Sequence, residues 1–310
     1  MGSISFDQVV SKGCGLDIHK KLIVATIAGD TIRKQTKEFG ATTRSLTELR
    51  DWLLEHGVTH VAMESTGVYW KPVYNILEPS GMTVWIINAR HVKAVPGRKT
   101  DKADSAWLCK LLLAGLLRPS YIPPKQQREL RDLTRYRKTL VQNIASNKNR
   151  LIRILEDCNI KLSSVLSDTN GVVGTKIVDR LLQGESITMQ FIDEIYHRKL
   201  SATKEEIFEA CEGFMTENNL YLLQLIKRDI SSLEALIQDL DIKIRDMLSP
   251  YENILELLKG VPGISTTSAE NLVAEIGLDM SVFPDEKHLS SWVGIAPGNN
   301  ESAGKKKVDE

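Results

Sequence analysis

Along the first 120 residues the spacing of apolar positions changes repeatedly, and each change marks an element. From Cys14 to Ile27, CGLDIHKKLIVATI holds two short β-type runs broken at His19-Lys20, and TIRKQTKEFG gives a third, alternating run that ends at Gly40. These predict three antiparallel strands. In RSLTELRDWLLEHG, Leu46, Leu49, Leu53 and Leu54 fall on one helical stripe, with Thr43 placed as N-cap and Gly57 as the stop. VTHVAME then reads as a buried strand, TGVYWKPVYNILEPSG as a helix, MTVWIINA as another strand, and the segment from Asp101 onward as a third helix.

The resulting order, βββαβαβα, requires parallel pairing where strands alternate with helices and allows a meander at the start, which matches an α/β ribonuclease H-like sheet. A boundary is expected where RPSYIPP, Arg118 to Pro124, cannot continue a helix. Beyond it the pattern becomes helical. KQQRELRDLTRYRKTLVQNIASNKNRLIRILED predicts one long helix, and a mixed segment follows it. Leu223, Ile226, Ile230, Leu233, Ile237, Leu240, Ile244 and Met247 then recur at alternating spacings of three and four, a coiled-coil seam. The seam does not name its partner: a hairpin with the first long helix and a dimeric coiled coil are both open. ILELLKGVPGISTTSAENLVAEIG predicts helix, glycine-flanked turn, helix, in which Gly260 and Gly263 would aim backbone N–H groups at a phosphate; this resembles a helix-hairpin-helix, and a plain αα-hairpin is the alternative. The predicted domains are 1–120 (α/β), 121–250 (helical stalk) and 251–310 (C-terminal helical domain).

Forty Lys and Arg balance forty Asp and Glu, so total charge decides nothing about a polyanionic partner. Its distribution does. The first long helix carries Lys125, Arg128, Arg131, Arg135, Arg137, Lys138, Lys148, Arg150 and Arg153 against only Glu129 and Asp132 before Glu156, a basic stripe suited to nucleic acid. Four scattered cysteines without a CxxC pair exclude a zinc knuckle and suit reduced core thiols. No signal peptide or membrane span is visible, so a soluble, cytoplasmic protein without membrane contact is expected.

Asp101 and Asp104 are neighbours on one helix face, and two like charges there cost stability unless a cation joins them. Favourable placement at the positive end of the helix is the plainer explanation of either acid. Asp17, between apolar neighbours in the first strand, and Glu64, closing the strand VAME, argue for more. In a ribonuclease H-like sheet the first strand is central and the fourth lies beside it. The last helix crosses their ends, so the four carboxylates converge. Oxygen-only ligands of this kind call for Mg2+ or Mn2+, and a pair of such ions supports phosphodiester cleavage. Lys20, Arg98, Lys99 and Lys102 would steer a phosphate backbone toward them, or form a solvated rim.

GLDIHK, AMESTGVYW, VPGRKTDKADSAWLCKLL, LLKGVPGISTTSAENLVAEIG and WVGIAPGNNESAGKKK resemble the successive signature blocks of the DEDD transposases of the insertion-sequence one-ten family, from about Gly15 to Lys307. The resemblance implies a RuvC-like N-terminal domain with Asp17, Glu64, Asp101 and Asp104 as its metal-binding tetrad. It implies that Ser302 is a nucleophile that becomes joined to DNA, a role its sequence surroundings alone would not suggest. Lys305 and Lys306 would hold a phosphate near that hydroxyl. Expected partners are DNA (element ends and target), a structured bridge RNA, and further copies of the chain in a dimer or tetramer. Family members continue with a basic helical portion past the point where this chain ends at Glu310, so the C-terminal domain is expected to be incomplete. The function expected is that of a metal-dependent transposase or site-specific recombinase. The rivals are a Holliday-junction endonuclease without serine chemistry, a non-catalytic nucleic-acid-binding remnant, and an actin-like ATP-binding protein, the last disfavoured because LDIHKK lacks a glycine-rich phosphate turn.

Overall fold

The computed structural model describes residues 9–65, 67–88, 104–293, 301–302 and 305–306. The chain divides into two compact units, Met1–Ile122 and Pro123–Glu310.

In the first unit, β1 (Lys12–Ile18), β2 (Leu22–Gly29) and β3 (Ile32–Gly40) form an antiparallel meander. Helix α1 (Thr43–Glu55) returns the chain so that β4 (His60–Glu64) pairs parallel with β1. After α2 (Trp70–Leu77), β5 (Thr83–Ile87) pairs parallel with β4. Helix α3 (Asp104–Leu113) is followed by β6 (Pro119–Ser120), antiparallel to β5. The sheet is mixed, ordered β3-β2-β1-β4-β5-β6, with β1 in its interior.

The expected element order is present, with two local differences. The cap of α1 is Thr42, whose side chain accepts from the backbone N–H of Ser45, not Thr43, which is already helical. The segment expected only to break a helix also adds the edge strand β6, where the missing N–H of Pro119 is tolerated because, among the described residues, no strand pairs on its far side.

Alternate residues of β1 serve different layers. Cys14, Leu16 and Ile18 join Leu46, Leu49 and Leu53 of α1 in the larger core. The opposite face is covered by α3, whose Leu108, Leu111 and Leu112 cluster with Ala62 and Ile87.

The second unit is built on two long helices, α4 (Lys125–Asp157) and α9 (Glu217–Leu248). Arg137 meets Asp241 and Asn147 meets Asp229, so the two run antiparallel. All eight seam positions of α9 are buried or half-buried, and α4 is their partner within the chain. The segment between them, which lacked a clear period, folds as four short helices, α5 (Leu162–Val165), α6 (Val172–Leu182), α7 (Met189–Ile195) and α8 (Lys204–Ala210). Their core includes Ile177, Ile192 and Ile207 with Leu151, Leu155 and Leu223 from the long helices.

At the other end of the pair, α10 (Glu252–Lys259) and α11 (Thr266–Ile276) form a second core in which Leu130, Ile244, Leu248, Val273 and Ala274 are buried. Helix α12 (Glu286–Val293) follows, and two short strands, β7 (Glu301–Ser302) and β8 (Lys305–Lys306), pair antiparallel. All four cysteines are buried, and burial pushes the Cys109 thiol up to about 11 and that of Cys211 to about 12. No described helix is long and apolar enough to cross a membrane.

Candidate functional site

Parallel pairing of β1 with β4 runs in register from Gly13 opposite His60 to Leu16 opposite Met63. One residue further on, Asp17 and Glu64 stand at the same level on adjacent strands. Equivalent positions of neighbouring strands share a face, and residues two apart share it as well. Gly15 and Ala62 lie on the α3 side, Gly15 against the backbone of α3 and Ala62 within its leucine cluster. Asp17 and Glu64 therefore belong to that side too. Leu112 of α3 approaches Gly13, and Ser105 and Cys109 approach Gly15, so α3 runs antiparallel to β1 with its N-terminal end directed toward the level of Asp17. Asp104 is in that first turn.

Asp17 has a side chain 19% exposed, and His19 Nε2 lies 3.1 Å from its Oδ2. Glu64 and Asp104 are half-buried, and Lys20 is exposed in the turn after β1. Among the described residues, no three His, Cys, Asp or Glu side chains form a group that could hold a metal ion. Asp101, together with Arg98, Lys99 and Lys102, lies outside the described residues. In kind, the acids on this face supply hard oxygen donors and no thiolate, the donor chemistry that suits Mg2+ or Mn2+.

Three residues that the sequence reading passed over tie α3 to the sheet. A methyl group on Gly15 would sit 2.1 Å from the carbonyl oxygen of Ser105 and 2.4 Å from the nitrogen of Cys109, so helix and strand backbones are in direct contact there. Thr26, opposite Gly15 on β2, is wholly buried, and its hydroxyl lies 2.8 Å from Ser105 Oγ and 2.9 Å from Thr36 Oγ1. A glycine inside a strand is the sequence signal for such an approach. The hydroxyl partner, 79 positions away, has no such signal.

The basic stripe of α4 is partly consumed inside the second unit. Arg128 donates to the Pro123 carbonyl at 2.8 Å. Arg131 donates to the carbonyls of Ala274 and Glu275 at the C-terminal end of α11, where a cation complements the unpaired carbonyls, and its guanidinium stacks over Trp292 at 5.1 Å. Arg135 makes a two-pronged bond to the Glu275 carboxylate at 2.7 and 2.8 Å. That hydrogen bond is the main reason the Glu275 carboxyl is held below its ordinary range. Arg137 is 5% exposed and donates to Glu270 at 2.6 Å, Asp241 at 2.8 Å and Asn271 at 3.2 Å. Burial works against its charge, but these bonds outweigh it and raise the guanidinium pKa. Lys138 is exposed. Counting charges along α4 could not reveal Glu270 and Glu275, which lie more than 130 residues further along.

In the turn between α10 and α11, Gly263 has φ of +90°, a conformation that favours glycine. Gly260 closes α10, its N–H bonding to Glu256 at 3.1 Å. Ser265 caps α11 by accepting from the N–H of Ser268 at 3.2 Å. Ser302 is paired in register with Lys305, and Glu301 with Lys306.

Residues 14–160 match a family model described as a DEDD transposase of the IS110 type, and residues 255–310 match one described as Transposase IS116/IS110/IS902 family. No curated protein matches the chain.

Proposed function

We propose that this chain, which belongs to the IS110 family of transposases, cuts and joins DNA strands with a centre formed by Asp17, Glu64, Asp101 and Asp104. Membership makes it a DNA-processing enzyme. The finer reading is carried by the register of β1 and β4, which sets Asp17 beside Glu64 on the face that α3 approaches with Asp104. Strand order supports a ribonuclease H-like, RuvC-like assignment: a three-strand meander, β1 in the interior, β4 parallel beside it, and a helix across the two.

Acids gathered on one face of the sheet repel unless a cation is shared between them. Mg2+ or Mn2+ bound there would activate the attacking oxygen and stabilise the leaving one. For the chain's own groups, His19 orients the Asp17 carboxylate and Lys20 attracts the phosphate backbone at the rim. Arg98, Lys99 and Lys102 are proposed for the same rim.

Ser302 is the proposed nucleophile. Attack by its hydroxyl would form a new ester bond to phosphorus as the strand's own P–O bond breaks, so that rejoining needs no external energy. Lys305 and Lys306 follow it closely in sequence and would hold the phosphate. The turn at Gly260 and Gly263, followed by the N-terminus of α11, is suited to a second backbone phosphate, in the manner of a helix-hairpin-helix. Along α4, Lys138 and the still-exposed Arg135 are the proposed DNA contacts, with Arg128; Arg131, 11% exposed, serves chiefly to hold α11. Guidance by a structured RNA and assembly as a dimer or tetramer belong to the same proposal and are supported by the family alone.

The test is a cleavage and strand-joining assay on DNA carrying element ends, with Mg2+ and with chelator. Asp17→Asn and Glu64→Gln are expected to abolish cleavage. Ser302→Ala is expected to abolish joining; if joined product still forms in that variant, the serine role is wrong. Cleavage that persists unchanged in Asp17→Asn would sink the carboxylate centre.

A further inference from the structure

The composition of α3 leaves its rotation poorly determined by apolar burial. In DSAWLCKLLL the buried residues Ser105, Leu108, Cys109, Leu111 and Leu112 spread over a wide arc, and half-buried Trp107 widens it further. Such a helix can roll or slide on a sheet while still burying leucine. Its first turn carries Asp104, whose usefulness depends on a placement good to a fraction of an ångström. Something other than leucine must fix it.

We infer that Thr26 and Ser105, together with the bare backbone of Gly15, are positioning residues that set the roll and depth of the first turn of α3, and so the position of Asp104 against Asp17 and Glu64. The inference rests on the carboxylate reading above. Three observations carry it. First, the Thr26–Ser105 bond of 2.8 Å joins two side chains that are 0% and 1% exposed, so water cannot replace either partner and the bond is directional where leucine contacts are not. Second, Thr26 is itself held at 2.9 Å by Thr36 on β3, so the anchor is braced across two strands, β2 and β3, before it reaches the helix. Third, Gly15 lets the carbonyl of Ser105 come to within 2.1 Å of where a methyl would be, which fixes the depth of approach at the residue adjacent to Asp104. Gly15 and Thr26 face each other across β1 and β2, so both constraints act at one level of the sheet, two residues before Asp17.

A merely structural hydroxyl pair would affect folding alone, whereas a positioning pair must also affect how the acids bind a cation. The test is Mn2+ titration of the full chain by calorimetry, with thermal unfolding measured in parallel, for wild type, Asp17→Asn, Thr26→Val, Ser105→Ala and Thr26→Ser. Asp17→Asn should lose the binding. Thr26→Val keeps shape and removes the hydroxyl, and is expected to weaken Mn2+ binding by roughly tenfold or more, as loss of an outer-shell partner does. Ser105→Ala should do the same, and it serves if Thr26→Val does not fold. Thr26→Ser, which restores the hydroxyl, should recover wild-type affinity. Folded Thr26→Val and Ser105→Ala proteins with lowered melting temperature but wild-type Mn2+ affinity would overturn the inference while leaving the carboxylate centre standing. Failure of wild type to bind Mn2+ in an Asp17-dependent way would overturn both.

Discussion

Replacing Gly15 by alanine adds one methyl group at the tightest backbone contact around α3. It would lie 2.1 Å from Ser105 O, 2.4 Å from Cys109 N and 2.9 Å from Leu108 Cβ, and the first two are backbone atoms that no side-chain rotation can move. Relief to an ordinary contact of 3.4 Å demands that α3 withdraw by about 1.3 Å. That withdrawal stretches the 2.8 Å bond between Thr26 and Ser105 to about 4 Å, beyond hydrogen-bond range. Overpacking costs about 1–3 kcal/mol. A buried hydroxyl pair left unmade adds about 1–3 kcal/mol. The expected loss, about 2–6 kcal/mol, is a large share of the stability of an ordinary domain. Urea unfolding followed by tryptophan fluorescence reports on this unit, because Trp52, Trp70, Trp85 and Trp107 all lie in it. Gly40→Ala is the control: its methyl would meet the rotatable Ser45 hydroxyl at 3.0 Å, and its cost should stay below about 1 kcal/mol. If Gly15→Ala unfolds at the wild-type midpoint with the wild-type slope, the close approach of α3 to β1 is wrong and the placement of Asp104 derived from it fails too.

Arg137→Met strands Glu270, itself 8% exposed, and should destabilise the second unit by about 3–5 kcal/mol, whereas the double variant Arg137→Met, Glu270→Leu should recover most of that loss; strictly additive effects in chemical denaturation would contradict the buried pair. The Glu275 carboxyl is held below its ordinary value of 4.5, chiefly by its bond from Arg135, so the stability it contributes is complete above that value and is lost as pH falls through the lower folded one. Glu275→Gln should therefore flatten the acid limb of a stability-versus-pH curve below about pH 4.5 and leave its slope near neutrality unchanged. An unaltered acid limb would show that the Arg135–Glu275 bond is not maintained in solution.

Much of the first unit could be read from the chain because its strands are short, apolar and separated by turn residues. The segments from Cys14 to Gly40 and VTHVAME need only local periodicity to be recognised, and the parallel placement of β4 follows from the helix that intervenes. The acids Asp17 and Glu64 stood out because neither suits its apolar strand. What local pattern could not convey were contacts between distant positions. Thr26 and Ser105 are unremarkable polar residues until the sheet brings them together, and Gly15 signals a close approach without naming what approaches. The second unit shows the same limit. The seam of α9 was legible as a seam, but its partner α4 is defined by pairs such as Arg137 with Asp241 and Asn147 with Asp229, each member of which reads as an ordinary surface residue. Residues α5 to α8 were illegible for another reason: helices of four to eleven residues are too short to develop a clear period, and they are stabilised by a shared core rather than by their own amphipathicity. The basic stripe was real in sequence, yet part of it neutralises Glu270 and Glu275 rather than facing solvent.

Asp17 and Glu64, at the same level of adjacent parallel strands, are proposed to share one cation with Asp104 at the start of α3. Anomalous diffraction at the manganese edge from crystals soaked in Mn2+ tests it most directly. A peak is expected within coordination distance of the Asp17, Glu64 and Asp104 carboxylates, absent from crystals of Asp17→Asn. Manganese bound elsewhere, or no peak at these carboxylates in a protein that still cleaves DNA with Mn2+, would contradict it.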